Sequence, residues 1–186
     1  MFRLARELGS AFATYVEIGW WGLVSPRSER KALVVVQAVV RSEQGILLAI
    51  RSDLRGWELP GGTLELGERC EGALCREVRE ETGYEVEITA QVGDYVRTGF
   101  RPHTARIYTC KVVGGKSRLS TETRALCWVA EDALPDTLFP WYRAPIEDAL
   151  AADREPVERT ERQGIRTILQ AIAIDLRMRT SGDRAA

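Results

Sequence analysis

The segment Gly61–Tyr84 reads GGTLELGERCEGALCREVREETGY, and it joins a glycine pair to a strongly acidic run that ends in Thr-Gly-Tyr. Its spacing predicts a helix over residues 69–82, because Gly83 suits the left-handed conformation in which helices commonly end. Leu74 and Val78 are four residues apart and therefore share one flank of that helix. We expect this flank to anchor the helix in a hydrophobic core.

A second flank of the predicted helix carries three carboxylates. Glu77, Glu80 and Glu81 are spaced i, i+3 and i+4, so they fall within an arc of about 100°. Like charges at this spacing repel one another, and they do so more strongly when they are partly buried. A cation would neutralise them, and ligands that are all oxygen favour a hard ion. The pattern therefore predicts a site for Mg²⁺ or Mn²⁺ that also accepts substrate phosphates.

The residues around this acidic flank fit the same prediction. Pro60, Gly61 and Gly62 form a loop whose backbone can approach a ligand closely, and a free glycine carbonyl there can coordinate the ion. Arg76 is adjacent to Glu77 and four residues before Glu80, so it can pair with a carboxylate and orient it.

Residues 62–84 follow a longer pattern, with Gly62, five residues, Glu68, seven residues, and then the run REVREETGY. This pattern resembles the signature of the Nudix hydrolases, G-x5-E-x7-R-E-U-x-E-E-x-G-U, in which U is apolar. Every fixed position matches, and the last U is the aromatic Tyr84 where an aliphatic residue is commoner. The resemblance extends over residues 31–152.

The resemblance implies an α/β fold, an α/β/α sandwich with a mixed β-sheet. It implies hydrolysis of a pyrophosphate bond in a nucleoside diphosphate derivative, by a water that a bound Mg²⁺ or Mn²⁺ activates for attack on phosphorus. Glu77, Glu80, Glu81 and the carbonyl of Gly61 would be metal ligands. Arg76 would orient Glu77, and Gly62 and Glu68 would support the loop and helix. We expect Glu77 or Glu80 to supply the general base.

Residues outside the acidic helix are candidates for substrate binding. Arg51 ends a predicted strand that leads towards the glycine loop, where a family arginine can hold phosphate, and Arg55 is a second candidate. Glu122 precedes a predicted strand and is a candidate additional ligand, with a solvated loop acid as the alternative. A base-binding clamp by stacking and cation–π contact would draw on the aromatic and basic residues Phe100, Arg101, Trp141 and Tyr142.

The rest of the chain predicts strands and helices around this region. Ala32–Val40 and Ile46–Ile50 read as a hairpin, and three further strand-like runs cover residues 84–96, 104–113 and 124–130. Residues 143–151 read as a helix. Residues 1–30 would form an N-terminal amphipathic helix and linker, packed on the domain or on a second subunit.

Residues 153–186 would form a C-terminal helix and a basic tail. Pro156 suits a first helical turn and would open the helix. Arg177, Arg179 and Arg184 would be a solvated basic end. A core-facing or dimer-facing stripe would comprise Ile165, Ile168, Leu169, Ile172 and Leu176.

The composition excludes several other classes of protein. The 186 residues carry a formal net charge of −1, so the chain lacks the positive surplus of a non-specific nucleic-acid binder. Without a run of 18 uncharged apolar residues we expect no membrane span. The four cysteines lack metal-binding spacing and His103 is the single histidine, so we expect reduced thiols, a cytoplasmic location and no zinc site. A homodimer is one expectation for the assembly.

The substrate stays open at this point. Pro102 lies close to the region in which ADP-ribose-type members carry a proline, so ADP-ribose or a nucleotide sugar is our first expectation. Nucleoside triphosphates, oxidised ones included, are the second. Two alternatives to an enzyme are a nucleotide-sensing module without catalysis and a membrane-surface protein led by residues 1–24. Nucleotide-sensing modules tend to lose the glutamates that this chain keeps.

Overall fold

A computed structural model describes residues 15–16, 33–99, 102–151 and 155–181. The elements, in chain order, are β1 Val34–Ser42, β2 Gly45–Arg51, β3 Trp57–Glu58, β4 Gly61–Thr63, α1 Cys70–Thr82, β5 Tyr84–Gly99, β6 His103–Gly115, β7 Thr123–Val129, α2 Arg143–Leu150, β8 Val157–Gln163 and α3 Ile165–Ser181. A short 3-10 turn, Pro140–Tyr142, leads into α2.

The strands form one eight-stranded sheet in the order β3-β2-β1-β6-β5-β8, with β4 paired to β1 and β7 paired to β2. The β1–β6 and β5–β8 pairs are parallel, and the other pairs are antiparallel. The predicted mixed sheet is therefore confirmed, and so is the hairpin of β1 and β2.

Helices cover both faces of the sheet, and β1 shows why. Val36, Ala38 and Val40 belong to the hydrophobic core under α1, whereas Val39 belongs to the core on the opposite face, which includes Ile146 of α2. Successive strand residues point to opposite faces, so a strand that is apolar at nearly every position is stable only between two helical layers. This arrangement is the predicted α/β/α sandwich.

Helix α1 has the predicted extent to within one residue. Leu74 and Val78 are fully buried and anchor it to the sheet. Gly83 ends the helix with a φ of 76°, and its N–H donates to the carbonyl of Arg79 at 3.0 Å. A side chain at Gly83 would be strained in this left-handed conformation and would also meet the carbonyl of Lys116.

The prediction that Pro156 opens a helix is wrong. Residues Val157–Gln163 form strand β8, which pairs in parallel with β5 from Gly93 to Gly99. Arg159 of β8 is joined to α2, because it donates to both carboxylate oxygens of Asp148 at 2.6 and 2.7 Å. Proline is tolerated directly before an edge strand because no ladder hydrogen bond is lost there. The helix begins only after Gly164, at Ile165.

Of the two orientations predicted for the C-terminal stripe, the core-facing one is wrong for part of it. Ile165 and Leu169 are 69% and 57% exposed, so this part of the stripe does not face the core. Helix α3 instead buries Ala171, Asp175, Met178 and Arg179. Arg179 is therefore not part of a solvated tail, because it forms a buried ion pair with Asp175. Whether the stripe faces a second subunit stays a prediction.

The chain termini are described only in part. Tyr15 and Val16 are helical, and the remainder of the predicted N-terminal helix lies outside the described residues. Arg184 also lies outside them. Among the helices that the structure describes, none is both long and apolar enough to cross a membrane.

Candidate active site

The acidic flank of α1 runs from buried to exposed. Glu81 is 7% exposed, the side chain of Glu77 is half-buried, and that of Glu80 is exposed. One turn of α1 therefore sets three carboxylates at three depths.

Arg76 holds the outer two carboxylates of α1 and the loop that precedes the helix. Its guanidinium donates to both oxygens of Glu68 at 2.9 and 3.0 Å. It lies 3.0 Å from a Glu77 oxygen and 3.3 Å from a Glu80 oxygen. Glu68 also accepts the N–H of Glu65 at 3.0 Å, and Arg76 lowers the pKa of Glu68. The structure thus brings together the arginine and the glutamates that the sequence predicts to cooperate.

The glycine loop lies directly against this flank. The N–H of Gly61 donates to Glu81 at 2.9 Å. Gly61 has a φ of 146°, and a Cβ there would lie 2.1 Å from the carbonyl oxygen of Val36. A Cβ on Gly62 would lie 2.4 Å from the carboxylate carbon of Glu77. A side chain at Gly61 would therefore clash with the backbone of β1, and one at Gly62 would displace the carboxylate of Glu77.

A further carboxylate, Glu58, was not among the residues predicted from the sequence. It lies on β3, two residues before Pro60, and accepts a hydrogen bond from the hydroxyl of Tyr142 at 3.4 Å. Burial raises the pKa of Glu58 to about 8; the charge of Arg51 opposes this rise, and that of Glu81 adds to it. Its position directly before the glycine loop is the feature that would have identified it.

Glu122 completes the group that we call the acidic cluster, which consists of Glu58, Glu77, Glu80, Glu81 and Glu122. Glu122 is an exposed residue just before β7, and its backbone carbonyl accepts the N–H of Ser52 at 2.8 Å. Its negative charge helps to raise the pKa of both Glu77 and Glu81. Glu122 therefore lies near enough to α1 for its charge to act on Glu77 and Glu81.

Burial, and to a smaller extent the like charges of its members, disfavour ionisation of the acidic cluster. Burial raises the pKa of Glu81 to about 7, and the hydrogen bond from Gly61 only partly offsets this effect. Burial also raises the pKa of Glu77, against the opposing effect of Arg76. Buried carboxylates in this state gain stability from a cation.

The donor set suits a hard divalent ion, because it offers carboxylate and carbonyl oxygens. As they stand, however, no three acidic, histidine or cysteine side chains in the described part of the chain form a metal-holding group. Arg76 contacts one carboxylate oxygen of Glu77 and one of Glu80.

Arg51 lies at the edge of the acidic cluster. It ends β2, its side chain is 45% exposed, and it donates to both oxygens of Asp53 at 2.9 and 3.0 Å. Its charge opposes the rise in the pKa of both Glu58 and Glu81. Arg55, by contrast, is buried, and its backbone N–H donates to Asp175 of α3 at 2.6 Å. The structure thus gathers Arg51 with the acidic cluster and places Arg55 against the C-terminal helix.

The structure describes only part of the predicted base-binding clamp, namely Trp141 and Tyr142. Trp141 stacks on Phe139 with ring centroids 4.8 Å apart, and it is followed by the buried Tyr142. The Tyr142 hydroxyl bonds Glu58 and accepts a hydrogen bond from Gln37 at 2.9 Å. Trp141 is therefore adjacent in sequence to a residue that touches the acidic cluster. Phe100 and Arg101 lie outside the described residues.

Comparison with known proteins agrees with this geometry. A family model described as the NUDIX domain matches residues 31–149, which include the glycine loop and helix α1. The chain belongs to the Nudix family. Nudix hydrolases act on pyrophosphate bonds of nucleotide derivatives, so the residue pattern and the fold lead to the same enzyme class.

Individual Nudix relatives are similar over this domain. A MutT-like protein of Streptomyces ambofaciens is 43% identical over 118 residues, which are 63% of this chain and 76% of that protein. A putative 8-oxo-dGTP diphosphatase of Bacillus subtilis is 37% identical over 111 residues, which are 59% of this chain and 74% of that protein. A solved Nudix hydrolase of Nitrosomonas europaea aligns with a TM-score of 0.60 at 28% identity, over 68% of this chain and 94% of its own.

Proposed function

We propose that this Nudix hydrolase cleaves the pyrophosphate bond of nucleoside triphosphates, oxidised ones included, with Mg²⁺ or Mn²⁺ as cofactor. The observation that carries the proposal is the acidic cluster, whose buried members hold raised pKa values beside the glycine loop and Arg51. The preference for triphosphates rests on the similarity to a putative 8-oxo-dGTP diphosphatase at 37% identity and to a CTP pyrophosphohydrolase of Escherichia coli at 39%.

The acidic cluster would divide the work among its members. Glu77, Glu80, Glu81 and the carbonyl of Gly61 would hold the ion, with Glu122 as an additional ligand. A bound divalent ion supplies charge neutralisation on the phosphates and a water of lowered pKa. Glu77 or Glu80 would accept the proton of the attacking water, and Arg76 would keep either carboxylate in position.

The substrate would extend from the acidic cluster towards Arg51 and Trp141. The Arg51 guanidinium is suited to phosphate oxygens, because its planar donors match their geometry. Trp141 is half-buried and offers a flat face for stacking on a base. Arg55, Phe100 and Arg101 remain candidates for the same role, although the structure places Arg55 in the interior.

A second candidate substrate is ADP-ribose or a nucleotide sugar. It is favoured by a 28% identical relative from Methanocaldococcus jannaschii, which is named ADP-ribose pyrophosphatase. A cytoplasmic location and a homodimer remain predictions beside it. The free state of all four cysteines is consistent with a reducing compartment.

A substrate panel with two coupling enzymes separates the two candidates. We would incubate the protein and Mg²⁺ or Mn²⁺ with 8-oxo-dGTP, CTP, ADP-ribose and UDP-glucose, and measure phosphate. Triphosphate cleavage predicts phosphate only when inorganic pyrophosphatase is present. ADP-ribose cleavage predicts phosphate only with alkaline phosphatase, which acts on the two monophosphates released. If neither ion supports hydrolysis of any of the four compounds, the proposed function is wrong.

A further inference from the structure

Asp175 is a buried carboxylate in the part of the chain that follows the matched Nudix domain. It is fully buried, and Arg179, four residues later on α3, donates to it at 2.7 Å. The N–H of Arg55 donates to its other oxygen at 2.6 Å, and the hydroxyl of Tyr15 donates to the same oxygen as Arg179. A buried ion pair of this kind is weak evidence for a stabilising role, because its desolvation cost can match its attraction.

The loop between β2 and β3, residues 52–56, is bound by Asp175 and Arg179 of α3. Asp175 accepts the N–H of Arg55, and Arg179 donates to the backbone carbonyl of Asp53 at 2.8 Å. The backbone of the loop is therefore fixed to α3 at two points, two residues apart.

The same loop carries the partner of Arg51. Both carboxylate oxygens of Asp53 accept hydrogen bonds from the Arg51 guanidinium. The two side chains are about half exposed, at 45% and 54%, so solvent screens their attraction. The orientation of Arg51 therefore depends on the backbone position of Asp53, which Arg179 sets from the interior.

We propose that Asp175 and Arg179 are positioning residues for substrate binding, which hold the loop 52–56 so that Asp53 directs Arg51 towards the substrate phosphates. Tyr15, from the N-terminal segment, completes the anchor through its hydrogen bond to Asp175. Two terminal regions outside the matched Nudix domain thus contribute to its substrate site. The inference rests on the proposed role of Arg51 in phosphate binding.

We expect substitution of Asp175 and Arg179 to change mainly KM. Arg51 contacts the substrate away from the general base, so an arginine that must be ordered on binding costs affinity without changing the proton transfer. We expect the combined substitution Asp175→Asn with Arg179→Met to raise KM about tenfold and to change kcat less than about threefold. It removes both charges together and leaves an acceptor for the N–H of Arg55, which limits the loss of stability.

The test is steady-state kinetics with 8-oxo-dGTP, CTP and ADP-ribose in turn, at saturating Mg²⁺. Arg177→Met, on the exposed side of the same helix, is the matched control and should leave KM unchanged. The decisive comparison repeats the combined substitution in an Arg51→Met background, where we expect no further rise in KM. An equal rise in both backgrounds would show that Asp175 and Arg179 do not act through Arg51, and would overturn the proposal.

Two further measurements keep the test independent of folding and of the substrate. Tyr15→Phe removes one hydrogen bond only, and we expect it to raise KM about twofold, again without effect in the Arg51→Met background. The ¹⁵N relaxation of the Arg51 Nε–H group reports its order without any turnover. If no nucleotide is hydrolysed, the proposed function is wrong. If the Arg51 side chain is equally ordered in the wild type and in the variants, this inference is wrong.

Discussion

The acidic cluster and helix α3 both bury carboxylates, and they do so in opposite ways. The acidic cluster gathers like charges, and burial raises the pKa of Glu58, Glu77 and Glu81. In α3, by contrast, Asp175 is buried against the opposite charge of Arg179. The comparison teaches that burial by itself does not mark a functional carboxylate. Carboxylates that their neighbours neutralise only in part are available to a ligand, whereas one paired with a buried opposite charge holds other elements in place.

The largest effect that we expect lies in the paired region. Asp175→Ala leaves the Arg179 charge buried without its partner, so we expect the free energy of unfolding to fall by about 3–5 kcal/mol. Urea unfolding followed by circular dichroism measures this loss. Glu87→Ala is the control, because Glu87 forms an exposed pair with Lys111 and should cost at most about 1 kcal/mol. Equal losses in the two variants would contradict the contrast between the regions.

The second prediction concerns catalysis by the acidic cluster. We expect Glu81→Gln to lower kcat by about 10²–10³-fold, because the substitution removes a charge at the position where the divalent ion is proposed to bind. The measurement is turnover of the best substrate at saturating Mg²⁺. Glu71→Gln, on the first turn of the same helix, should keep nearly full activity, since Glu71 is exposed. A kcat within threefold of wild type for Glu81→Gln would be inconsistent with our assignment.

The acidic helix was predictable because its information is local. Spacing of three and four residues fixes which side chains share a face, and Gly83 marks where the helix ends. Glu58 was missed because its environment depends on Glu81 and Tyr142, which are distant in the sequence and close only in the fold. Arg51 was a candidate, but the position of Asp53 that orients it depends on α3.

The C-terminal region was mispredicted for a related reason. Pro156 fits the first turn of a helix as well as the start of an edge strand, and only the pairing of β8 with the distant strand β5 decides between them. The apolar stripe that begins at Ile165 indicated a buried face, yet α3 buries Asp175 and Arg179 instead. Hydrophobic periodicity cannot anticipate that this ion pair is buried, because the backbone groups that it binds lie on the loop between β2 and β3.

The third prediction uses pH to separate the two regions. The pKa of Glu81 is raised to about 7 and that of Glu58 to about 8, whereas both have an ordinary pKa near 4.5 in the unfolded chain. Between these values the folded protein keeps protons that the unfolded chain has released. Stability of the metal-free protein should therefore fall as pH rises from 5 to 8, by several kcal/mol. Urea unfolding in EDTA at the two pH values measures this change.

The matching variant removes the titrating groups. Glu58→Gln with Glu81→Gln should flatten the dependence on pH and make the metal-free protein more stable than wild type at pH 8. Addition of Mg²⁺ should restore part of the wild-type stability at pH 8. Metal-free protein that is equally stable or more stable at pH 8 than at pH 5 would show that ionisation of Glu58 and Glu81 does not destabilise the fold.

The smallest effect concerns the exposed stripe of α3. Leu169 is 57% exposed, so Leu169→Ser should change the free energy of unfolding by less than about 0.5 kcal/mol if this face meets only solvent. A stripe that contacts a second subunit predicts instead a larger loss that depends on protein concentration. Sedimentation velocity of the wild type and the variant at several concentrations distinguishes the two results.

The central claim is that the acidic cluster binds a divalent ion beside the glycine loop, and Mn²⁺ binding tests it without a substrate. Electron paramagnetic resonance of free Mn²⁺ during a titration gives the dissociation constant for the wild type and for Glu77→Gln with Glu81→Gln. We predict saturable binding to the wild type and at least a tenfold weaker affinity in the double variant. Equal Mn²⁺ affinity in both proteins would contradict the account.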